Sequence, residues 1–420
     1  MCREACGEQD EGLPRTEPSV LKHQNIQSLD TRHTPPPPSL PMVSVIIVNF
    51  NYGRFISQAL ESIAAQTYPF LETIVVDDRS TDESWATICA LTAPGGMHPN
   101  VLALQTPTNG GQSTAAAYGL AHSRGTYVIF VDADDILLPR CVEAHVYAHL
   151  SSRIPVGFSA VDNFTIVDGQ YVTSSAAGSE FAKFVASGQG ALPAMIRSID
   201  RVAPDTWFGE REPVLDAQDI HLVRPPKCEP WIWSPTSAIC FRRDALVLFL
   251  NGPKLADMRW GTDAYLMRPI SAICGSMLID RPLMGYRIHG TNCFAEGAPL
   301  NRLRNFDVRD KQRGMVEIMK NAVRKMFDDV ESFGHLFGSP EFYFEAVRAQ
   351  CLCWPGLKAE EGGKDFLTEC LLKHEAALVR TFGPEPVGRW LVLSGARRRP
   401  ILRELKQTLE RALARATGTR

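Results

Sequence analysis

Three carboxylates fall within four positions, Asp132, Asp134 and Asp135, directly after the apolar run "YVIFV" (127–131). That run reads as a buried strand, and concentrated negative charge beside buried chain is costly unless something positive sits there. Two other apolar runs also end in polar groups. "VSVIIV" (43–48) is followed by Asn49, Phe50 and Asn51, and "LETIVV" (71–76) by Asp77 and Asp78. Acids converging on one edge point to a divalent cation with ligand hydroxyls nearby, and oxygen-only donors favour Mg²⁺ or Mn²⁺ over zinc. A single Asp after a strand is ordinarily an Asx-turn or a helix cap. Two strands that both end in acidic clusters make that local explanation a coincidence.

These residues need elements to position them. Between the strands lie helical patterns: "RFISQALESIAAQ" (54–66) sets Phe55, Ile56, Leu60 and Ile63 on one face. Ser80 and Glu83 form an S-x-x-E capping box opening a second helix. "NVLALQT" (100–106) is a third strand. "GQSTAAAYGLAHSRG" (111–125) is a third helix stopped by Gly125, and Pro139 suits the first turn of the next. Alternating helices and unbroken apolar strands predict an α/β fold with a mostly parallel sheet covered on both faces. In such sheets ligands sit beyond the carboxyl ends of the strands, where the acids are. The first strand is followed by "NFNYG" rather than G-x-G-x-x-G, and no G-x-x-x-x-G-K-[ST] loop occurs, which argues against the usual dinucleotide and P-loop sites. Asn109 opens "NGGQS" (109–113), which fits a ligand contact and an ordinary turn equally.

The 420 residues allow a large domain and a smaller one, with 45% hydrophobic and 22% charged residues. A net charge of −3 gives no reason to expect nucleic acid. No apolar run is long enough to cross a bilayer, and the 11 cysteines lack paired CxxC spacing, so reduced thiols in a cytoplasmic protein are expected. Residues 1–40, ending in "TPPPPSLP", read as a disordered tail. The main domain is expected over 41–295 and a helical C-terminal region over 296–420. The final stretch "RRRPILRELKQTLERALARA" is a basic amphipathic helix. Such a helix can lie on the inner membrane surface, and more often docks on its own domain.

Taken together, "VSVIIVNFN", "ETIVVDDRSTDES", "NGGQSTAAAYGLAHSRGTYVIFVDADD", "SAICFRRDAL" and "PLMGYRIHGTN" resemble the family 2 glycosyltransferases of GT-A fold, in that family's order over residues 42–295. The resemblance implies a nucleotide-sugar donor, UDP-linked, and inverting transfer to a hydroxyl of a glycan or lipid-linked acceptor in cell-surface polysaccharide synthesis. It implies that Phe50 stacks near the base and that Asp77 or Asp78 bonds the base or ribose. Asp132 and Asp134 become the D-x-D pair around Mg²⁺ or Mn²⁺ at the donor diphosphate, with Asp134 the direct ligand. His289, in "YRIHGTN", falls at the diphosphate or metal, although a lone His in a turn is equally a structural residue.

The family's general base lies in a Glu-Asp pair opening a later helix. Here Thr262-Asp263 occupies that place, so the base role passes to Asp263. The bland reading is that Thr262 caps the helix. Asp216, Asp219 and Asp257 are the nearest acids that could substitute. Ala117 stands where many relatives carry Asn, and Trp231 with Trp233 could form a sugar platform or simply pack in the core. Two rival readings remain: a nucleotide-sugar-binding protein without turnover, and an aspartyl-phosphate-type hydrolase, whose motif belongs on a first strand rather than a fourth.

Overall fold

The computed structural model describes residues 40–167, 169–172, 180–197, 214–225, 231–250, 258–289, 312–352, 357 and 365–396. The expected tail (1–40) except its last residue, the boundary at 295/296 and the basic helix after residue 396 lie outside the described residues.

Ten strands form one sheet among the described residues: β1 (Val43–Asn49), β2 (Leu71–Asp77), β3 (Leu102–Gln105), β4 (Tyr127–Asp132), β5 (Ile136–Leu137), β6 (Phe158–Val167), β7 (Gln170–Val172), β8 (Ile220–Val223), β9 (Ile239–Arg242) and β10 (Ser276–Ile288). The order is β3-β2-β1-β4-β9-β6-β10-β5, with β7 beside β6 and β8 beside β10. β1 to β4 are parallel. β9 runs against both β4 and β6, so β6 points with β4, and β10 pairs parallel with β6. This is the α/β architecture the sequence predicts, with a mostly parallel sheet. Every residue of β1 is buried, as expected of a strand covered on both faces.

The helices are α1 (Gly53–Ala64), α2 (Ser84–Thr92), α3 (Gln112–Ala121), α4 (Cys141–Ser151), α5 (Glu180–Ala186), α6 (Arg243–Leu250) and α7 (Thr262–Cys274). A helical set follows: α8 (Gln312–Asp328), α9 (Val330–Phe333), α10 (Pro340–Leu352), α11 (Phe366–Lys373), α12 (Glu375–Phe382) and α13 (Pro384–Leu393). Among the described residues no helix is long and apolar enough to cross a membrane. α8 and α10 pack on α7 and, together with α6 and β6, leave it almost completely buried.

Local details differ from the sequence reading at three points. The Ser80/Glu83 capping box does not form: α2 starts at Ser84, whose amide is capped by Asp82 (3.0 Å), while Ser80 is drawn to Asp77. α3 ends at Ala121, so Gly125 is not its stop. Gly125 instead leads into β4, where its amide meets Ser44 Oγ (2.7 Å) and an added Cβ would lie 2.4 Å from the Ser44 amide nitrogen. Pro139 precedes α4 by two residues, because β5 takes up the chain immediately before it.

Candidate active site

The carboxyl ends of β1, β2 and β4 are in register, Asn49 beside Asp77 and Val48 beside Asp132, so the polar residues after each strand share one edge. β1 is also where the strand order reverses, with β2 on one side and β4 on the other. Because β9 is antiparallel, its beginning rather than its end reaches this edge and delivers Ser237.

Half of the edge is knit internally. Asp77 is fully buried; its Oδ1 accepts from Asn49 Nδ2 (2.8 Å) and Ser80 Oγ (2.5 Å), and its Oδ2 from the Ser80 amide (3.1 Å) and Gln105 Nε2 (2.9 Å). Asp78 accepts from Thr106 Oγ1 (2.8 Å), the Gly110 amide (3.1 Å) and the Gly111 amide (2.6 Å). Asn109 Nδ2 bonds the Asp78 carbonyl (2.8 Å), and its Oδ1 accepts from Arg259. Asn51 takes the left-handed conformation, φ 58°, and its Oδ1 accepts from the Thr81 amide (2.8 Å). Phe50, 42% exposed, keeps a surface to offer a ligand.

The acids after β4 are held differently. Asp132 Oδ1 accepts from Gln112 Nε2 (2.7 Å), and the Asp132 amide donates to Ser237 Oγ (3.0 Å). Ser237 in turn donates to Asp135 Oδ2 (2.6 Å), whose Oδ1 accepts from the Arg287 amide (3.1 Å). The Arg287 guanidinium bonds the Asp134 carbonyl (2.7 Å) and Gln58 Oε1 (2.8 Å). Asp134 Oδ2 lies 2.9 Å from His289 Nε2, both side chains buried, and the imidazole packs against Tyr52 and Phe55 (centroids 5.3 and 4.9 Å).

Burial, then the charge of Asp134, pushes the Asp132 carboxyl up to about 7, and the nearby charge of Asp263 adds to the effect. Asp135 is raised well above the carboxylate range by burial and by its two acidic neighbours. Asp263 stands in the first turn of α7, where burial raises its carboxyl and its Oδ1 accepts from the Ala264 amide (2.7 Å). Thr262 is not the helix cap. Gly261 takes that position, and the buried Thr262 hydroxyl meets Ser113 Oγ at 2.7 Å. Among the described residues no three His, Cys, Asp or Glu side chains close into a ready-made metal cage. A hard cation here would have the Asp134–His289 pair, with Asp132 beside it, and would complete its shell with ligand oxygens or water.

The structure thus brings Asp132, Asp134 and His289 together and sets Asp263 within reach of their charge. Trp233 belongs to the core: it is buried, donates to Ser276 Oγ (3.0 Å) and meets Trp231 edge-on. Asp216 and Asp219 close a capping box on each other, Asp219 pairs with Arg281, and Asp257 lies outside the described residues. Gln112, Ser237 and Arg287 stand inside "NGGQS", "SAICFRRDAL" and "YRIHGTN", but their place beside the acids emerges only from the fold.

Residues 44–175 match the model of glycosyl transferase family 2. This segment belongs to that family. The chain is similar to curated relatives along part of their length. A glycosyltransferase of Nostoc is 28% identical over 253 residues, covering 60% of this chain and 66% of the relative. Glycosyltransferase GlyG of Streptococcus pneumoniae is 35% identical over 103 residues, 24% of this chain and 33% of the relative. The minor teichoic acid biosynthesis protein GgaB of Bacillus subtilis is 38% identical over 96 residues, 22% of this chain and 10% of the relative. The chain therefore spans less than two thirds of these relatives' lengths. Among solved structures, S. aureus TarS 1-349 in complex with UDP-GlcNAc aligns at 14% identity and a TM-score of 0.41, over 84% of this chain and 91% of that one. The mannosyltransferase PcManGT from Pyrobaculum calidifontis, in complex with GDP-Man and Mn²⁺, aligns at 18% identity and a TM-score of 0.39, over 86% of each chain.

Proposed function

We propose that the chain is an inverting glycosyltransferase that moves a sugar from a nucleotide-sugar donor, UDP-linked, to a hydroxyl of a glycan or lipid-linked acceptor in cell-surface polysaccharide synthesis. The observation that carries this reading is the meeting of Asp132, Asp134 and His289 at one strand edge with Asp263 on a separate helix. The family membership of residues 44–175 supports the reaction class, and the teichoic acid relative supports the polymer setting. The chemistry of the donor set fits Mg²⁺ or Mn²⁺: Asp134 and His289 would hold the ion, with Asp132 alongside. When bound, such an ion offsets the negative charge that grows on a departing diphosphate.

The chain's own residues supply the rest. Phe50 presents its ring to the base. Asp77, Asp78, Asn51 and Asn109, held by protein donors, frame the nucleotide end rather than reaching for it, and Asn49 ties that frame to β1. Asp263 takes the proton from the acceptor hydroxyl; its raised carboxyl makes it a stronger base than an exposed Asp. Inversion needs one base and no covalent intermediate. The product would be made on the cytoplasmic side of the membrane.

The test is a panel of UDP-glucose, UDP-galactose, UDP-N-acetylglucosamine and GDP-mannose, with and without Mn²⁺, scored for binding by calorimetry and for slow hydrolysis. Asp263→Asn should leave binding of the selected donor near wild type and lower its turnover by about two to four orders of magnitude. Full turnover in that variant would sink the base assignment. Binding without turnover in the wild type would favour a nucleotide-sugar-binding protein instead.

A further inference from the structure

Gln112 is the first residue of α3, and Thr262 is the first residue of α7. The two helix starts meet at a short polar chain. Gln112 Nε2 donates to Asp132 Oδ1 (2.7 Å), and Gln112 Oε1 accepts from Thr262 Oγ1 at the long limit of 3.5 Å. The firmer link is Ser113 Oγ to Thr262 Oγ1 at 2.7 Å, with both side chains buried. The same turn is anchored through its backbone. The Gln112 amide donates to the Arg259 carbonyl (2.9 Å), and Gly111, at φ 89°, packs so closely that an added Cβ would lie 2.4 Å from that oxygen.

We infer that Gln112 is a positioning residue for sugar transfer: it fixes Asp132 by one carboxylate oxygen and, together with its neighbour Ser113 bonded to Thr262, sets the helix bearing Asp263 in register with the acids of β4. The inference rests on the transferase reading proposed above. An amide suits the task because one end donates to a carboxylate while the other accepts from a hydroxyl. That pairing also fixes which way the amide points. Binding Oδ1 of Asp132 leaves Oδ2 directed by the geometry of the carboxylate, and the neutral partner leaves the charge in place. Glu at position 112 would set a further negative group against Asp132. Thr262, where the family pattern has an acid, becomes a tether between helices, and Asp263 is held without an acidic neighbour.

Asp132 keeps its backbone bond to Ser237 when the Gln112 side chain is removed, so loss of the amide affects the orientation of the carboxylate more than folding. The experiment uses the full chain, Mn²⁺ and the donor of the panel that the wild type hydrolyses fastest. Gln112→Ala should lower kcat by about 10–100-fold, as loss of an outer partner to a ligand group commonly does, while donor affinity changes much less and the melting temperature holds. Thr262→Val should act in the same direction, and Thr262→Ser, which keeps the hydroxyl, should restore most of the loss. The double variant Gln112→Ala/Thr262→Val should be no worse than the weaker single one, since residues acting through one network are not additive.

An active wild type with unchanged kcat in Gln112→Ala would overturn the inference alone, as would fully multiplicative losses or Thr262→Ser as impaired as Thr262→Val. A wild type inert toward every donor would overturn the transferase reading, and this inference with it.

Discussion

Asp132 is steadied by an amide and a hydroxyl and pressed by two like charges, and this has a consequence for stability. A carboxyl whose folded value, about 7, lies above its unfolded one, about 3.9, binds more protons folded than unfolded between those limits. The contribution of Asp132 to stability without metal therefore falls as pH rises from about 4 to about 7 and levels off above. Asp132→Asn lacks that proton, although the raised acids Asp135 and Asp263 remain in both proteins. Melting curves at pH 5 and pH 8 in chelator should show the wild type losing more of its melting temperature over this interval than Asp132→Asn. Equal losses would mean that Asp132 titrates as an ordinary carboxylate. Added Mn²⁺ should narrow the difference at pH 8.

At the scale of elements, the helix that supplies Gln112 lies close against the sheet because Gly119 lets it. A Cβ at Gly119 would stand 2.4 Å from Ile46 Cγ2 and 2.9 Å from Val76 Cγ2, so Gly119→Ala must push α3 off β1 and β2. Overpacking of this kind costs about 1–3 kcal/mol. Gly388, inside α13 with nothing within 4 Å of its added Cβ, is the natural control; Gly388→Ala should stabilise by about 0.4–1 kcal/mol. Denaturant titrations that shift both variants in the same direction would contradict the packing argument. The strands themselves were legible in the sequence, because β1, β2 and β4 are mostly apolar runs, with acids directly after β2 and β4. The readings of Ser80 and Gly125, and the bland alternative that Thr262 caps its helix, fail for one reason. Each residue fits a local helix rule, and each was recruited by a partner distant in sequence: Asn49, Ser44 and Ser113 respectively. Ser237 and Arg287 lie in the stretches that carry the family resemblance, but their roles were not legible there, since single polar residues mean little until strand order places them beside the acids.

Over the molecule as a whole, the helical set after residue 311 is structurally tied to the segment bearing the candidate base. α7 is buried along nearly its full length, by α8 and α10 on one side and by α6 and β6 on the other, and Gln350 Nε2 bonds the Arg268 carbonyl (3.3 Å). Leu266, Met267 and Ile270 are each fully enclosed, and such side chains contribute about 1.5–3 kcal/mol apiece when buried. A chain cut after residue 295 should therefore be insoluble or markedly less stable, whereas removal of residues 1–39 should leave the melting temperature unchanged, given their composition. A soluble 40–295 fragment melting with the full chain would show that α7 does not need this cover.

Arg287 touches the Asp134 carbonyl from 153 positions further along the chain, and Gln58 from 229. Contacts this distant form late, because closing the intervening chain costs entropy before any contact rewards it. The acids after β4 can thus lie beside their neighbours in β1 while β10 has still to arrive, bringing Arg287 and His289 with it. During that interval the protein has its helices and much of its sheet but an unfinished site. On dilution from urea, far-ultraviolet dichroism should recover first, with Mn²⁺-dependent donor binding lagging behind. Simultaneous recovery of the two signals would mean that β10 docks with the earliest structure.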